Sequence, residues 1–122
     1  MKNIESFLSN YDNEIKENAL ILNNLIISTL PDILVSVDLP AKMIAYSYGN
    51  KYIEMICAIF PSKKGIKLSF NRGILLSDNY KLLKGNGKIT RYIEIKKIDN
   101  STKSTIISYL QEANSLFAEA TN

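Results

Sequence analysis

The hydrophobic residues of this chain change their spacing twice, which divides it into three regions. Up to Leu30 they recur every three or four residues, as on one face of a helix, and from Ile33 to Ile98 they alternate with polar residues, as in strands. After Asp99 the helical spacing returns. This succession predicts an α+β domain, a mostly antiparallel sheet of about five strands with N-terminal helices and a C-terminal helix packed on one face.

The two helical regions have recognisable ends. The first has apolar positions at Phe7, Tyr11, Ile15, Ala19, Leu22, Ile26 and Leu30, and the last has them at Ile106, Leu110, Ala113, Phe117 and Ala120. Asn10 or Asp12 is placed to cap a break between a short first helix and a longer second one. Pro31 ends the second helix, because proline disfavours the helical conformation of the residue before it.

Five segments of the middle region have the alternation and the composition of strands, namely 33–37, 43–48, 52–60, 66–70 and 90–95. Tyr48-Gly49-Asn50-Lys51 reads as a tight hairpin turn and residues 61–65 as a looser one, so the second to fourth strands should form an antiparallel meander. Ile53, Met55, Cys57 and Ile59 should share one face of the third strand. Residues 71–88 form a long connection that we expect to be partly helical and packed.

Length and charge point to one domain with an uneven surface. With 122 residues and 46% apolar content, the chain can bury one core, so residues 1–122 are read as a single domain. Residues 63–103 hold eleven Lys or Arg against three acidic residues, a balance of +8, whereas residues 1–62 sum to −3. Two interpretations stay open: the lysines keep the sheet soluble and its edges unpaired, or they form an anion-binding face.

The residues needed for common catalytic chemistry are missing. The chain has no histidine and one cysteine, Cys57, which excludes Ser-His-Asp and Cys-His nucleophiles and the usual zinc sites. Lys84-Gly85-Asn86-Gly87-Lys88 has neither the first glycine nor the final Ser or Thr of a phosphate-binding loop. We therefore expect a protein that is not an enzyme and has no cofactor.

Cys57 and the apolar segments also bear on location. A single cysteine inside an apolar run, with no secretory signal, is typical of a reducing cytoplasm. The longest apolar stretch, residues 19–30, is interrupted by Asn23 and Asn24 and is too short to span a bilayer. We expect a cytoplasmic protein without a membrane segment.

A candidate ligand-binding site remains at one end of the sheet. Tyr46 and Tyr48 are two residues apart on one strand, and Arg72, Lys88 and Arg91 stand where strands meet glycine-bearing loops. A small anion or an acidic protein surface is the expected ligand of this group. For Arg91 the alternative is structural, a tether to carbonyl groups of the long loop.

Other partners are less well indicated. Basic and aromatic residues do not interleave as they do in RNA-binding sheets, so nucleic acid is disfavoured. The sequence is compatible with a monomer or a small homo-oligomer.

Three of these motifs together resemble the YdhG-like family of small bacterial domains, most of them of unknown function. They are the Tyr46-Ser47-Tyr48-Gly49 hairpin, Leu68-Ser69-Phe70 followed by Arg72-Gly73, and Gly85-Asn86-Gly87-Lys88-x-x-Arg91. The resemblance covers nearly the whole chain and implies an α+β domain of about this size.

Some members of that family are described as frataxin-like iron chaperones, so the resemblance implies intracellular iron chaperoning as the alternative function. Exchangeable iron prefers carboxylate or imidazole ligands, and Glu5, Asp12, Glu14 and Glu17 are the only acidic group of the first helices. This chain also has Met43-Ile44 where the family commonly has Met-Pro before the aromatic hairpin.

Overall fold

The structure is a computed structural model that describes residues 2–121, and it has three α-helices and a five-stranded sheet. The helices are α1 (Lys2–Leu8), α2 (Asn13–Thr29) and α3 (Asn100–Thr121); the strands are β1 (Leu34–Asp38), β2 (Met43–Ser47), β3 (Met55–Ser62), β4 (Gly65–Phe70) and β5 (Arg91–Ile95). The strands lie in chain order and every neighbouring pair is antiparallel. The predicted α+β class, with the helices packed on one face, is confirmed.

The predicted break between the first two helices is also confirmed. The side chain of Asp12 accepts a hydrogen bond from the Ile15 amide at 3.0 Å, which caps the start of α2. At the other end of α2 the Leu30 amide still donates to the Ile26 carbonyl, and the chain then turns at Pro31. This turn brings β1 alongside the helices that cover the sheet.

The core lies between the helices and one face of the sheet. Ile44, Ile59, Leu68 and Ile93 stand opposite one another across four strands, and each is fully or almost fully buried. Each buried side chain of this size stabilises the folded domain by about 1.5–3 kcal/mol relative to an exposed one. The opposite face carries exposed charges such as Lys67, which lies between the buried Ile66 and Leu68 of β4.

The connection between β2 and β3 differs from the predicted tight turn. It spans residues 48–54 and contains a 3-10 helix, Tyr52–Glu54, whose Glu54 carboxylate accepts a hydrogen bond from the Lys51 amide at 3.0 Å. Because this local bond holds a helical turn, the strand begins only at Met55. The prediction of a four-residue hairpin, with a strand from residue 52, is wrong.

A β-bulge at the start of β3 has a further consequence. Tyr46 pairs with Cys57 but Ser47 pairs with Met55, so Ile56 is an extra residue in β3. The alternation of side chains is interrupted there, and Ile53 lies outside the strand with 48% of its surface exposed. Ile53 therefore does not share the buried face of Cys57, contrary to the expectation.

The long connection before β5 is partly helical, as predicted. It contains a 3-10 helix, Gly73–Leu75, and it buries Leu76 against the core. Further along, Lys84 forms a single antiparallel bridge with Tyr92 of β5. The connection therefore contacts the rest of the domain at two points, at Leu76 in the core and at Lys84 beside β5.

Candidate binding site

Three connecting segments meet at the end of the sheet where β4 ends and β5 begins. They are residues 51–54, 71–75 and 87–91. The Asn71 side-chain amide donates to the Tyr52 carbonyl at 3.1 Å, and the Ile74 amide donates to the Ile89 carbonyl at 3.1 Å. Hydrogen bonds thus join the three segments into one surface, although the segments are separate in the sequence.

Gly73 allows the second and third of these segments to approach each other. A Cβ atom at this position would lie 2.5 Å from Cβ of Arg91 and 2.6 Å from its backbone nitrogen, distances that real side chains do not reach. The chain therefore needs glycine here because of a close backbone approach.

Five large apolar side chains are exposed on this surface, and we call them the sheet-end patch: Tyr52, Ile53, Ile74, Leu75 and Ile89. Their exposed fractions run from 39% to 60%. Isolated apolar side chains on a surface need no explanation, but a group on contiguous segments is typical of an interaction site. The patch is not evident from the sequence, because four of its residues lie in 3-10 turns and the contacts between its segments have no sequence signal.

The positions of the predicted site residues divide them into a buried and a peripheral group. Tyr46 is fully buried, and its hydroxyl donates to the Asn23 side-chain oxygen at 2.8 Å. Burial raises the pKa of Tyr46 well above its usual value, with a smaller contribution from Cys57. Since this side chain has no contact with solvent, we assign it to the core and remove it from the candidate site.

Tyr48 joins the sheet end to the last helix. Its hydroxyl donates to the Asn114 side chain at 2.8 Å, and its ring stacks on Phe117 with 5.0 Å between centroids. Partial burial raises the pKa of Tyr48, and the negative charge of Asp32 adds to the shift. Tyr48 therefore connects the end of β2 to α3, and it is only half-buried.

The three cations lie around the sheet-end patch. Arg91 donates from one guanidinium nitrogen to the carbonyls of Gly87 and Thr90, both at 2.6 Å. This is the structural alternative for Arg91, a tether to carbonyl groups of the long loop. Arg72 donates to the Ile53 carbonyl at 3.4 Å, and Lys88 is exposed. With the exposed Lys51, they make a rim that we call the cationic rim: Lys51, Arg72, Lys88 and Arg91.

The basic residues of the middle region do not gather at this end alone. Lys63 and Lys64 lie in the β3–β4 turn and Lys96 follows β5, so these three stand at the opposite end of the sheet. The predicted basic face is therefore divided between the two ends of the sheet. The reason is that successive connections between antiparallel strands lie at alternate ends.

A carboxylate outside the predicted site holds the long connection in place. One oxygen of Asp78 accepts hydrogen bonds from the Tyr109 hydroxyl at 2.6 Å and from the Leu82 and Leu83 amides at 3.0 and 3.1 Å. Burial raises the pKa of Asp78, but these hydrogen bonds outweigh it and lower the pKa overall. The pKa of Tyr109 rises to about 12, through burial and its bond to Asp78.

The cleft at this end of the sheet is small. The cleft beside Arg72, lined also by Met55, Leu76 and Leu116, has a cavity volume of only about 10 Å³, roughly that of one water molecule. Within residues 2–121 no three His, Cys, Asp or Glu side chains come together as a metal site would need. Burial raises the pKa of the Cys57 thiol far above its usual range, which leaves it protonated and unreactive.

Comparison with protein-family models, with curated proteins and with solved structures finds no significant match to this chain. None of the helices in the described part of the chain is long and apolar enough to cross a membrane.

Proposed function

We propose that this chain is a non-catalytic binding module of the YdhG-like kind, which uses the sheet-end patch and the cationic rim to hold an acidic, partly apolar surface of a partner protein. The observation that supports this most is the patch itself, because five of the ten large hydrophobic residues exposed in the described part of the chain belong to it. Exposed apolar groups surrounded by charge are the usual composition of a protein interface.

The shape of this end favours a protein surface over a small anion. Small ligands are normally bound in concave sites of several hundred Å³, and the cleft at this end holds about one water molecule. Arg91 also donates hydrogen bonds to two carbonyl groups, which fixes the position of its side chain. Fewer of its guanidinium N–H donors are then available to a ligand. An exposed apolar patch with a rim of cations and only a small cleft fits a complementary protein surface.

Charge determines which partner fits. The three segments of the patch carry four cations and one acidic residue, Glu54, whose carboxylate accepts a hydrogen bond from the Lys51 amide. Complementary charge at the rim of an interface raises the association rate and excludes partners of the wrong sign. The partner should therefore present Asp or Glu beside apolar side chains.

A reducing, cytoplasmic location belongs to the same proposal, supported by a single buried cysteine that forms no disulfide. Iron chaperoning stays an expectation of the family resemblance. None of the contacts in the described residues favours it.

The test is a selection of peptides from a random library displayed against the immobilised protein, followed by affinity measurements on the enriched peptides. We expect them to combine acidic and apolar residues, and Leu75→Asp should weaken their binding by about tenfold or more, as for an interface hot spot. The matched control is Leu39→Asp, because Leu39 is 65% exposed but lies in the β1–β2 turn at the other end of the sheet.

Two results would overturn the proposal. One is binding that Leu39→Asp weakens as much as Leu75→Asp does. The other is native mass spectrometry that shows a phosphate-sized or ferrous ion bound at one equivalent, lost with Arg72→Glu for the anion or with Glu14→Gln and Glu17→Gln for iron.

A further inference from the structure

The outer edge of β5 is paired over only part of its length. The Lys84 amide donates to the Tyr92 carbonyl at 2.8 Å and the Tyr92 amide donates to the Lys84 carbonyl at 2.9 Å. Both main-chain groups of Tyr92 therefore point away from β4. Because main-chain direction alternates along a strand, the amide and carbonyl of Glu94 point to the same outer side. Within residues 2–121 no main-chain partner pairs with them there.

The long connection leaves the edge because of Asp78. An antiparallel segment that continued from Lys84 would place Leu83 opposite Ile93 and Leu82 opposite Glu94. The amides of Leu82 and Leu83 instead donate to Asp78, so this chain cannot extend the ladder. Pairing of the long connection with β5 therefore stops after one bridge, and among the described residues the main chain of Glu94 stays without a partner on the outer side. The carbonyl of Lys96, just after β5, accepts a hydrogen bond from the Asn18 side-chain amide at 3.3 Å.

A groove follows the open edge between β5 and the first half of α3. Its volume is about 250 Å³, and its lining includes Leu82, Ile93, Ile95, Thr105 and Ile106. Ile93, Ile95 and Ile106 are buried beneath it, whereas Leu82 is 40% exposed at one end. A strand edge beside a helix, with apolar side chains below, is the arrangement that receives an extended peptide by strand addition.

Charge around the groove selects the peptide. Lys96 and Lys97 belong to its lining and are exposed. Glu94 is the acidic side chain there, and it is paired with Lys84 at 3.1 Å. Neither Lys96 nor Lys97 forms a salt bridge in the described residues, although Lys96 lies near Glu94 and Lys97 near Asp99. Both lysines can therefore also meet acidic side chains of a bound strand, while alternate apolar side chains would turn inward to the groove.

We propose that the outer edge of β5 binds an extended, acidic segment of a partner protein as an added strand, anchored on the main chain of Glu94. This surface is separate from the sheet-end patch, and the inference does not depend on the proposed function. A second copy of the chain, pairing edge to edge, is the outcome that would replace it.

The test uses two variants with matched controls. Proline is tolerated on an edge strand where its nitrogen faces outward, so Glu94→Pro should remove the outer donor and leave the sheet intact. Its control, Glu94→Gln, loses only the charge. Thr105→Glu places a negative charge in the groove, and its control is Ser108→Glu, on an exposed position of α3 outside the groove lining.

The probes are acidic peptides enriched from a random displayed library on the wild-type protein. We expect a group of them to slow hydrogen exchange at the Glu94 amide at least tenfold, and to bind at least tenfold more weakly to Glu94→Pro and Thr105→Glu than to the two controls. Leu75→Asp should leave this group unaffected, which separates it from peptides that bind the sheet-end patch.

Three results would overturn the inference. The first is that no enriched peptide protects the Glu94 amide. The second is that Glu94→Pro and Thr105→Glu, both with wild-type circular dichroism, bind the peptides as well as their controls do. The third is that the Glu94 amide becomes protected without peptide as protein concentration rises and a dimer forms, which would assign the edge to a second copy.

Discussion

Removing one hydroxyl from the core, in Tyr46→Phe, tests the assignment of Tyr46 to the core directly. Tyr46 is fully buried and its hydroxyl donates to Asn23, whose side chain is only 5% exposed. The variant leaves the Asn23 oxygen without that donor, at a place where water has little access. A buried polar group that loses its partner costs about 1–3 kcal/mol.

That loss is large enough to measure in a domain of this size. For 122 residues, 1–3 kcal/mol corresponds to a fall in melting temperature of roughly 4–12 °C. In urea, with a slope of about 1–3 kcal/mol per molar, it moves the unfolding midpoint by roughly 1 M. Circular dichroism is the suitable signal, because the chain has no tryptophan.

Two further variants make this prediction sharp. Tyr52→Phe removes the hydroxyl of a ring that is 60% exposed, and we expect no change above about 0.5 kcal/mol. The double variant Tyr46→Phe with Asn23→Leu replaces both partners by apolar groups and should recover much of the loss. An unchanged midpoint in Tyr46→Phe would contradict a buried hydrogen bond to Asn23. So would a double variant that loses more stability than the two single variants lose together.

Two other predictions concern the segments that carry the candidate site. Asp78 has a lowered pKa in the folded protein, so its contribution to stability is present above the unfolded value of about 3.9 and is lost as pH falls through the lower folded value. We expect Asp78→Asn to have a lower urea midpoint than the wild type at pH 7. The difference between the two midpoints should become smaller below pH 3, and a difference that stays constant with pH would contradict this. Gly73→Ala should cost more than about 1 kcal/mol, because its new Cβ meets the Arg91 backbone at 2.6 Å. Gly87→Ala, whose nearest neighbour is the Thr90 hydroxyl oxygen at 2.8 Å, should cost less, and equal losses would count against the close-approach argument.

The fold was predictable because periodicity is local. The change from helical to alternating spacing at Pro31, and the cap at Asp12, are each determined by a few neighbouring residues, and the structure has both. The 3-10 turn at Tyr52–Glu54 was not predictable from alternation. Ile53 is an even number of residues from Cys57, so the sequence pattern continues as if the strand began before Ile53. The bulge at Ile56 depends on its pairing with β2, which periodicity does not report.

The candidate site was predictable only in part. The sequence indicated cations at one sheet end, and Arg72, Lys88 and Arg91 are all found there. It also placed Tyr46 among them, because residues two apart on a strand share a face, but that face is the one that the helices cover. The apolar patch arises from contacts between residues fifteen or more positions apart, as between Asn71 and Tyr52, and such contacts follow from the tertiary structure.

The most direct test of the sheet-end patch as a binding surface is an amide chemical-shift map of the ¹⁵N-labelled protein with an enriched acidic peptide that Leu75→Asp no longer binds. We expect the largest shifts on residues 51–54, 72–75 and 87–91, and no change in the β1–β2 turn around Leu39. Shifts confined to the opposite end of the sheet, near Lys63, Lys64 and Lys96, would contradict it and move the site to the other cluster of cations.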